Sequence, residues 1–136
     1  MAVFALTSEV TFLDGVNHSA ALKSAVLTLS AAELDTTDFA SGGWVEVIGG
    51  NKSGTLALNF MDDVVDNAID ELLFAMLGTV VTFTVKPVDA AISASNPEYQ
   101  GSVLVNGYTF GGDVGTLATK QLTFPTTGAV VRDITP

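Results

Sequence analysis

The sequence predicts a mainly β fold: a β-sandwich or small barrel of about seven or eight strands, with one amphipathic α-helix packed on one side. Three observations predict this fold class. Apolar and polar residues alternate over many short segments, which is the period of half-buried strands. Glycine, asparagine and aspartate separate these segments and favour turns. Only one segment has the period of a helix.

The N-terminal part is predicted to hold two strands. In the first, Val10 and Phe12 lie on one face, and the turn residues of 14–19 follow. The second strand is long, over 22–34, because its apolar residues recur at every second position. The apolar N-terminus lacks a basic leader and a cleavage site. Residues 1–7 are therefore interpreted as a short N-terminal arm of the mature protein.

A long inter-strand loop is expected over about 35–44, where polar residues and the glycines at 42–43 interrupt the alternation. A short β segment over 44–48 follows, and the glycine pair 49–50 ends it. Alternation then resumes in a strand over 53–60. The pattern indicates an extended excursion instead of a tight hairpin.

One amphipathic helix is predicted over 63–77. Its apolar positions share one helical face: Val65, Ile69, Leu72, Leu73 and Met76. Its start is rich in aspartate, which suits the positive end of the helix dipole, and Gly78 can take the left-handed conformation after the last turn. The acids of this segment lack the alternation and the central glycine of a calcium loop, so a solvated helix face is the preferred interpretation.

The C-terminal part returns to strand patterning. A strand is predicted over 79–86, and two or three more between 96 and 124, with Asn106-Gly107 as a turn signal. The last strand is expected to stop at Pro125.

The remaining residues, 126–136, are expected to form a C-terminal tail. No internal repeat, low-complexity run or linker interrupts the sequence. Its length is typical of one compact unit, so 1–136 is predicted to be a single domain.

The composition suggests a covered surface. Charged residues make up 15% of the chain and hydrophobic residues 48%, whereas the surface of a soluble monomer is typically about 25–35% charged. Self-association explains this balance, and a small monomer with an unremarkable alanine- and threonine-rich surface is the alternative.

The charge pattern excludes several partners. Five Lys and Arg face 15 Asp and Glu, for a formal net charge of −10. Because nucleic-acid binding depends on basic residues that release counterions from phosphate, the chain is not expected to bind DNA or RNA specifically. An anionic membrane is an equally poor partner. The sequence has no cysteine, which excludes disulfides and thiolate metal sites.

No catalytic constellation stands out. His18 is the only histidine, and it lies in a polar turn, so neither a nucleophilic triad nor a histidine metal site is expected. The glycine pairs do not match a phosphate-binding loop. The sequence therefore predicts no enzyme, cofactor or metal. Trp44 is interpreted as an interface or core residue, with a sugar-stacking platform as the alternative.

Several short motifs occur in an order that is typical of one protein family. The segment 34–60 combines Thr36, Thr37 and Phe39 with Ser41-Gly42 and then with the step Gly43, Trp44, Glu46, Ile48, followed by Gly50 and Lys52. After the helix come Pro97, Tyr99 and Gly101, then Tyr108 and Val114-Gly115, and finally Thr127, Gly128, Val130 and Arg132. In this order, the chain from about residue 8 to its end resembles the phage tail tube proteins, also called major tail proteins. It departs from them at Val45, where many relatives carry a basic residue.

The resemblance implies a structural role. Such proteins form rings, typically hexameric, that stack into the tube of a tail; the subunits together form a continuous inner β-barrel through which the genome passes. The implied partners are copies of the chain itself, the tape-measure protein and the tail-tip and terminator proteins. DNA would pass without specific binding. The implied location is the virion, after synthesis in the cytoplasm of the host bacterium.

The resemblance also implies site residues. The loop expected to reach the next ring contains Asp35, Thr36, Thr37, Asp38, Phe39, Ser41 and Trp44. Strands that flank this loop usually contribute to the inner sheet of these proteins, which makes Glu33, Glu46 and Asp113 the candidates for acids that line the bore. The loop is expected to be mobile in the free subunit and to order on stacking.

Other functions remain open. The chain could be the inner-tube protein of a contractile injection system or of a gene-transfer agent. It could instead be a β-sandwich module that presents Trp44 and Tyr99 to a carbohydrate, or a hydrolase with an unrecognised pair of carboxylates.

Overall fold

The computed structural model describes residues 5–6, 9–62 and 69–135. Its elements in chain order are β1 (Val10–Leu13), β2 (Val16–Asn17), β3 (Leu22–Asp35), a 3₁₀ turn (Phe39–Ser41), β4 (Val47–Met61), α1 (Ile69–Met76), β5 (Val80–Lys86), β6 (Glu98–Leu104) and β7 (Thr119–Asp133). The prediction of a mainly β fold with one helix is confirmed, and so is the predicted long loop, which follows β3.

The strands form a seven-stranded sheet in the order β2-β1-β5-β6-β7-β4-β3, and every neighbouring pair is antiparallel. Within the described ranges the sheet does not close, so β2 and β3 are its edges. The two halves of the sheet meet at β7, which pairs first with β4 and then with β6. The fold therefore depends on one long strand that changes partner.

The core lies between the inward face of the sheet and helix α1. Leu56, Leu58 and Phe60 alternate along β4 and are almost completely buried, as the period of a strand requires. Ile69 and Leu73 bury the apolar side of α1 against them. No helix in the described ranges is long and apolar enough to cross a membrane.

The described part of the predicted helix 63–77 is Ile69–Met76. Residues 63–68 of the predicted segment lie outside the described residues, so the predicted start stays a prediction. Gly78 has a φ of 84°, as expected for the residue that ends a helix. Of the predicted N-terminal arm, only residues 5–6 are described.

The prediction of a C-terminal tail over 126–136 is wrong for most of that segment. β7 runs from Thr119 to Asp133, so the strand continues through Pro125 into the segment predicted as a tail over 126–136. A proline ends a strand where its missing N–H breaks the ladder. Here the pairing with β4 ends at Pro125 and the pairing with β6 begins at Thr126, so the proline lies at the change of partner.

One further boundary differs from the predictions. The segment 44–48 is not a separate strand, because β4 begins at Val47 and continues through Gly49 and Gly50. Gly49 pairs with Glu33, and the irregularity beside this pair leaves Gly50 and Asn51 opposite Ala32, so Gly50 lies in a bulge and does not end the strand. Between 96 and 124 there are two strands, β6 and the start of β7, which is within the predicted two or three, and the region between them is a loop.

Candidate functional site

Two strands leave the sheet together as a two-stranded ribbon. From Thr55 to Phe60, β4 pairs with β3 on one side and with β7 on the other. Before Thr55, β3 is its only strand partner in the described chain, so 29–35 and 47–54 pair with each other alone. We call these two segments the ribbon. An isolated pair of strands is only marginally stable in water. A further strand neighbour would therefore stabilise the ribbon.

The ribbon separates from the sheet at Gly54. The hydroxyl of Thr126 donates a 3.3 Å hydrogen bond to the carbonyl oxygen of Gly54, directly after Pro125, where β7 changes partner. A Cβ atom on Gly54 would lie 2.5 Å from Cδ2 of Leu29 and 2.9 Å from the carbonyl oxygen of Thr28. Only glycine fits at this separation point without a shift of its neighbours.

The ribbon has apolar side chains that the described chain leaves uncovered. Leu34 and Ile48 are direct cross-strand partners, and they keep 51% and 56% of their surface exposed. Leu29, Val45 and Val47, in the ribbon and beside it, are also exposed. Because monomeric soluble proteins rarely expose contiguous apolar surface, the ribbon is a candidate interface.

The loop at the tip of the ribbon, 36–46, contains its own cap. The carboxylate of Asp38 accepts hydrogen bonds from the backbone N–H of Ala40 at 3.0 Å and from the hydroxyl of Ser41 at 3.2 Å. The backbone N–H of Asp38 donates to the hydroxyl of Ser41 in return. This reciprocal capping holds the 3₁₀ turn. Gly42 follows with a φ of 64° and ends the turn.

Further bonds close the base of the tip loop. The backbone N–H of Glu46 donates to the hydroxyl of Thr37 at 2.8 Å, and the N–H of Thr36 donates to the carbonyl of Glu46 at 2.9 Å. Asp35 accepts from the N–H of Thr37 at 2.8 Å. Hydrogen bonds from the hydroxyl and the N–H of Thr37 lower the pKa of Asp35, so its carboxylate stays charged. The loop thus has an internal framework, and its ordering on stacking stays a prediction.

The framework leaves two aromatic side chains outside. Phe39 is fully exposed, and Trp44 keeps 79% of its surface exposed. Trp44 is therefore not a core residue in the described chain, and of the predicted roles the interface role stays open. An aromatic side chain of this size is costly to leave in water, which favours a contact partner for the tip.

The three acids predicted to line the bore do not lie together. Glu33 lies in β3 opposite Gly49, and Glu46 lies at the end of the tip loop. Asp113 lies in the loop 105–118, which joins β6 to β7. The structure thus brings two of the three to the ribbon and its tip, and their position relative to a bore stays a prediction.

The register puts the tip loop and helix α1 at opposite ends of the strands. β4 runs from the tip loop to Met61, which pairs with Thr119 at the start of β7. β6 is antiparallel to β7 and therefore ends, at Leu104, on the same side as Thr119. Leu104 pairs with Val80, the first residue of β5. Helix α1 and the loop 105–118 connect strand ends on this side, away from the tip.

Lys120 is a buried charged residue that no pattern in the sequence predicted as part of a site. Its side chain is fully buried, and its ammonium lies 2.8 Å from Oδ1 of Asp70 and 3.2 Å from Oδ2 of Asp62. It donates to the carbonyl oxygen of Thr109 and lies 4.4 Å from the centroid of the Tyr108 ring. A buried charge requires such partners. The network joins β7, α1 and the loop 105–118.

Three groups of this network, Lys120, Asp70 and Tyr108, have shifted pKa values. Burial alone would lower the pKa of Lys120, but its hydrogen bonds to Asp70 and Asp62 outweigh burial and raise the pKa. The hydrogen bond from Lys120 lowers the pKa of Asp70 most, and the hydrogen bond from Tyr108 lowers it further. The bond to Asp70 raises the pKa of Tyr108. Groups held in one charge state are suited to structure and not to proton transfer.

His18 is buried, in contrast to the expected polar turn. It is 6% exposed, and its ring meets Phe60 edge to face, with 6.1 Å between centroids. Its Nε2 atom has no hydrogen-bond partner in the described chain. Burial lowers the pKa of His18, although a hydrogen bond with the backbone of Leu13 acts in the opposite direction. Within the described ranges, no three His, Asp or Glu side chains are grouped so that they could hold a metal ion.

No protein-family model matches the sequence, and no curated protein matches it. Several solved structures are similar to the chain, and two of them come from gene transfer agent particles. One is a chain of the virion of a native gene transfer agent (GTA) particle: it is 21% identical, with a TM-score of 0.77 over 96% of this chain and 99% of that chain. The other is a chain of the tail of an empty GTA particle, determined with helical refinement in C6 symmetry. It is also 21% identical, with a TM-score of 0.65 over 83% of this chain and 82% of that chain. The likeness shows a common fold.

Proposed function

We propose that this chain is a structural subunit of the tail of a phage or phage-like particle, and that its copies form rings which stack into a tube. The observation that carries the proposal is the ribbon, whose segments 29–35 and 47–54 have no other strand neighbour in the described chain. Its exposed residues Leu34 and Ile48 need a cover. A second copy of the chain supplies both a strand neighbour and a cover.

The free edge of β3 supports assembly by strand pairing. β3 has 14 residues and is the last strand of the sheet. Proteins that avoid edge pairing place charges or proline on such an edge. β3 has no proline, and no charged residue lies between Lys23 and Glu33. A long, uncharged edge of this kind suits the joining of neighbouring subunits around a ring.

The fold comparisons support the tail assignment and a ring of six. Both similar chains come from gene transfer agent particles, and the second comes from a tail with C6 symmetry. In the proposed tube, six copies of this chain form each ring. The tip loop, with Phe39 and Trp44 exposed, reaches the next ring.

The charge of the chain suits a conduit for DNA. The chain has a net charge of −10, so it can line the wall of a tube with acidic side chains. Acidic side chains do not bind the phosphates of DNA, because they release no counterions from them. Glu33, Glu46 and Asp113 are the proposed acids of that wall. At physiological salt their repulsion extends about 8 Å, so they act only on DNA that comes close to the wall.

The proposed partners follow from this role. Besides its own copies, the tube subunit would contact the tape-measure protein inside the growing tube and the tail-tip and terminator proteins at its two ends. The protein would be made in the host cytoplasm and end in the virion. Its proposed role is structural, and it requires neither an enzyme activity nor a cofactor.

Two other functions have a specific observation in their favour. Both similar structures belong to gene transfer agents, which favours the tube of such a particle as the second candidate. The exposure of Trp44 would also suit a carbohydrate-binding module. A glycan-binding module would remain a monomer or small oligomer, whereas a tube subunit would not.

Negative-stain microscopy of the purified protein over a range of concentrations tests the proposal. We expect rings or hollow tubes at high concentration. The double variant Leu34→Ser/Ile48→Ser is expected to stay in small species at the same concentration, because it removes the apolar pair of the ribbon. A natural chain that stays monomeric at every concentration, also with purified tail tips as a template, would contradict the proposal.

A further inference from the structure

The end of the chain opposite to the tip has a second exposed apolar surface. It is formed by helix α1 and the loop 105–118, and its exposed residues are Phe74, Phe110, Val114 and Leu117. We call these four residues the end surface. Phe74 meets the ring of Tyr108 edge to face, with 5.5 Å between centroids. The helix and the loop therefore present one joint surface.

The end surface has a rigid base. Lys120 holds the loop through the carbonyl oxygen of Thr109 and lies 5.1 Å from the centroid of the Phe110 ring. At the start of the loop, the backbone N–H of Gly78 donates to the carbonyl of Val105 at 2.7 Å, and the N–H of Val105 donates to the carbonyl of Thr79 at 2.9 Å. A surface that is ordered in advance loses little conformational entropy when it binds a partner.

The tip is ordered in advance as well. The carboxylates of Asp35 and Asp38 are already hydrogen-bonded within the loop. Docking of the tip therefore does not leave these two charges without partners. What the tip presents outward is the aromatic pair Phe39 and Trp44.

We infer that the tip of one copy docks on the end surface of the next copy along the tube. This inference rests on the proposed function and names the surface that receives the tip. The two surfaces are unlike, apolar and at opposite ends of the strands. A contact between unlike surfaces of identical subunits repeats head to tail and does not close on itself in a pair. It therefore gives the tube a direction.

The size of the contact explains why a ring is needed. Two aromatic side chains bury on the order of 150–250 Å² each. A single tip stays below the roughly 1,200 Å² of a stable pair of proteins. One copy is thus not expected to hold another through its tip alone, whereas the copies of a ring act together. Stacking by this contact requires complete rings.

Crosslinking with introduced cysteines tests the inference, because the natural chain has no cysteine. The double variant Phe39→Cys/Val114→Cys carries one thiol on the tip and one on the end surface, and both positions are fully exposed. A short bismaleimide is added to assembled protein, and the products are separated on a denaturing gel. The matched control is Phe39→Cys/Val131→Cys, since Val131 is an exposed valine of β7 on the tip side of the sheet.

The expected result is a ladder of covalent multimers beyond the dimer with Phe39→Cys/Val114→Cys, and the loss of that ladder in the control and in each single variant. If the first pair blocks assembly, Trp44→Cys/Leu117→Cys serves as a second pair. Tubes of the natural chain without a ladder from either pair, or with an equal ladder from the control, overturn the inference and leave the proposed function standing. Absence of tubes from the natural chain removes both.

Discussion

Leu34 and Ile48 face each other across two paired strands that have no third strand beside them in the described chain, and each keeps about half of its surface exposed. In most sheets such a pair is covered by a core. Here the cover is missing from the described chain, although the two residues are direct antiparallel partners. In the proposed tube, a neighbouring copy would supply this cover.

The first prediction concerns this pair. Leu34→Ser/Ile48→Ser should abolish assembly and change the free energy of unfolding of the single chain by no more than about 0.5 kcal/mol, since exposed positions contribute little to stability. Sedimentation velocity measures assembly, and urea denaturation measures stability. Val16→Ser, at an exposed valine of β2, is the matched control and should assemble normally. Normal assembly of the double variant would contradict the role of the ribbon.

The second prediction concerns the point where the ribbon leaves the sheet. Gly54→Ala should destabilise the protein by about 1–3 kcal/mol, because the added methyl group meets Leu29 and the backbone of Thr28. Gly49→Ala is the control, since a Cβ atom there has no neighbour within 4 Å. Chemical denaturation of both variants measures the difference. Equal stability of the two variants would show that the separation does not depend on glycine.

The third prediction concerns the buried ion network. Lys120→Met should cost about 3–5 kcal/mol, because it leaves the carboxylates of Asp62 and Asp70 without their cation. Lys23→Met, at an exposed lysine, should change stability by less than about 0.5 kcal/mol. Urea denaturation at pH 7 compares them. If the two variants lose similar stability, the network does not hold the helix and the loop to β7.

The fourth prediction concerns pH. Because burial lowers the pKa of His18 in the folded chain, the unfolded chain takes up a proton first, at about pH 6.5. The stability that is present above this pH is therefore lost as the pH falls through 6.5 toward the lower pKa of the folded state. His18→Phe keeps an aromatic ring against Phe60 and cannot titrate.

Thermal unfolding of both proteins between about pH 7 and pH 5 tests this prediction, since histidine titrates in that range. The loss of stability on acidification should be smaller in His18→Phe than in the natural chain. Glu9, whose pKa is raised by burial, is present in both proteins, so its effect cancels in the comparison. Parallel curves for the two proteins would show that His18 does not contribute.

Alternation along the sequence predicted the strands well, and it failed where tertiary contacts decide. Apolar residues alternate with others from Leu56 to Phe60 in the sequence, because only one face of β4 is buried. Pro125 was predicted to end the strand, because proline cannot donate to the ladder. The change of partner that accommodates it in β7 depends on β4 and β6 and cannot be seen in the local sequence. The glycines 49–50 looked like a break for the same reason, because a bulge depends on the opposite strand.

The candidate site could be predicted only in part. The family resemblance placed Phe39 and Trp44 in a loop between rings; the structure leaves both side chains exposed, and their contact role stays a prediction. Lys120 was missed, although it occupies the inward face of β7 together with Leu122 and Phe124, which is an unusual place for a charge. Its partners Asp62 and Asp70 come from distant parts of the sequence, and spacing along the chain does not show that they meet.

Electron cryomicroscopy of particles assembled from the purified chain shows whether copies join through the edge of β3. We expect a hollow tube in which the free edge of β3 in one copy is joined to a neighbouring copy and the ribbon residues Leu34 and Ile48 are covered. A tube in which β3 and the ribbon face solvent in every copy, or a concentrated protein that yields only separate single molecules, would contradict this expectation.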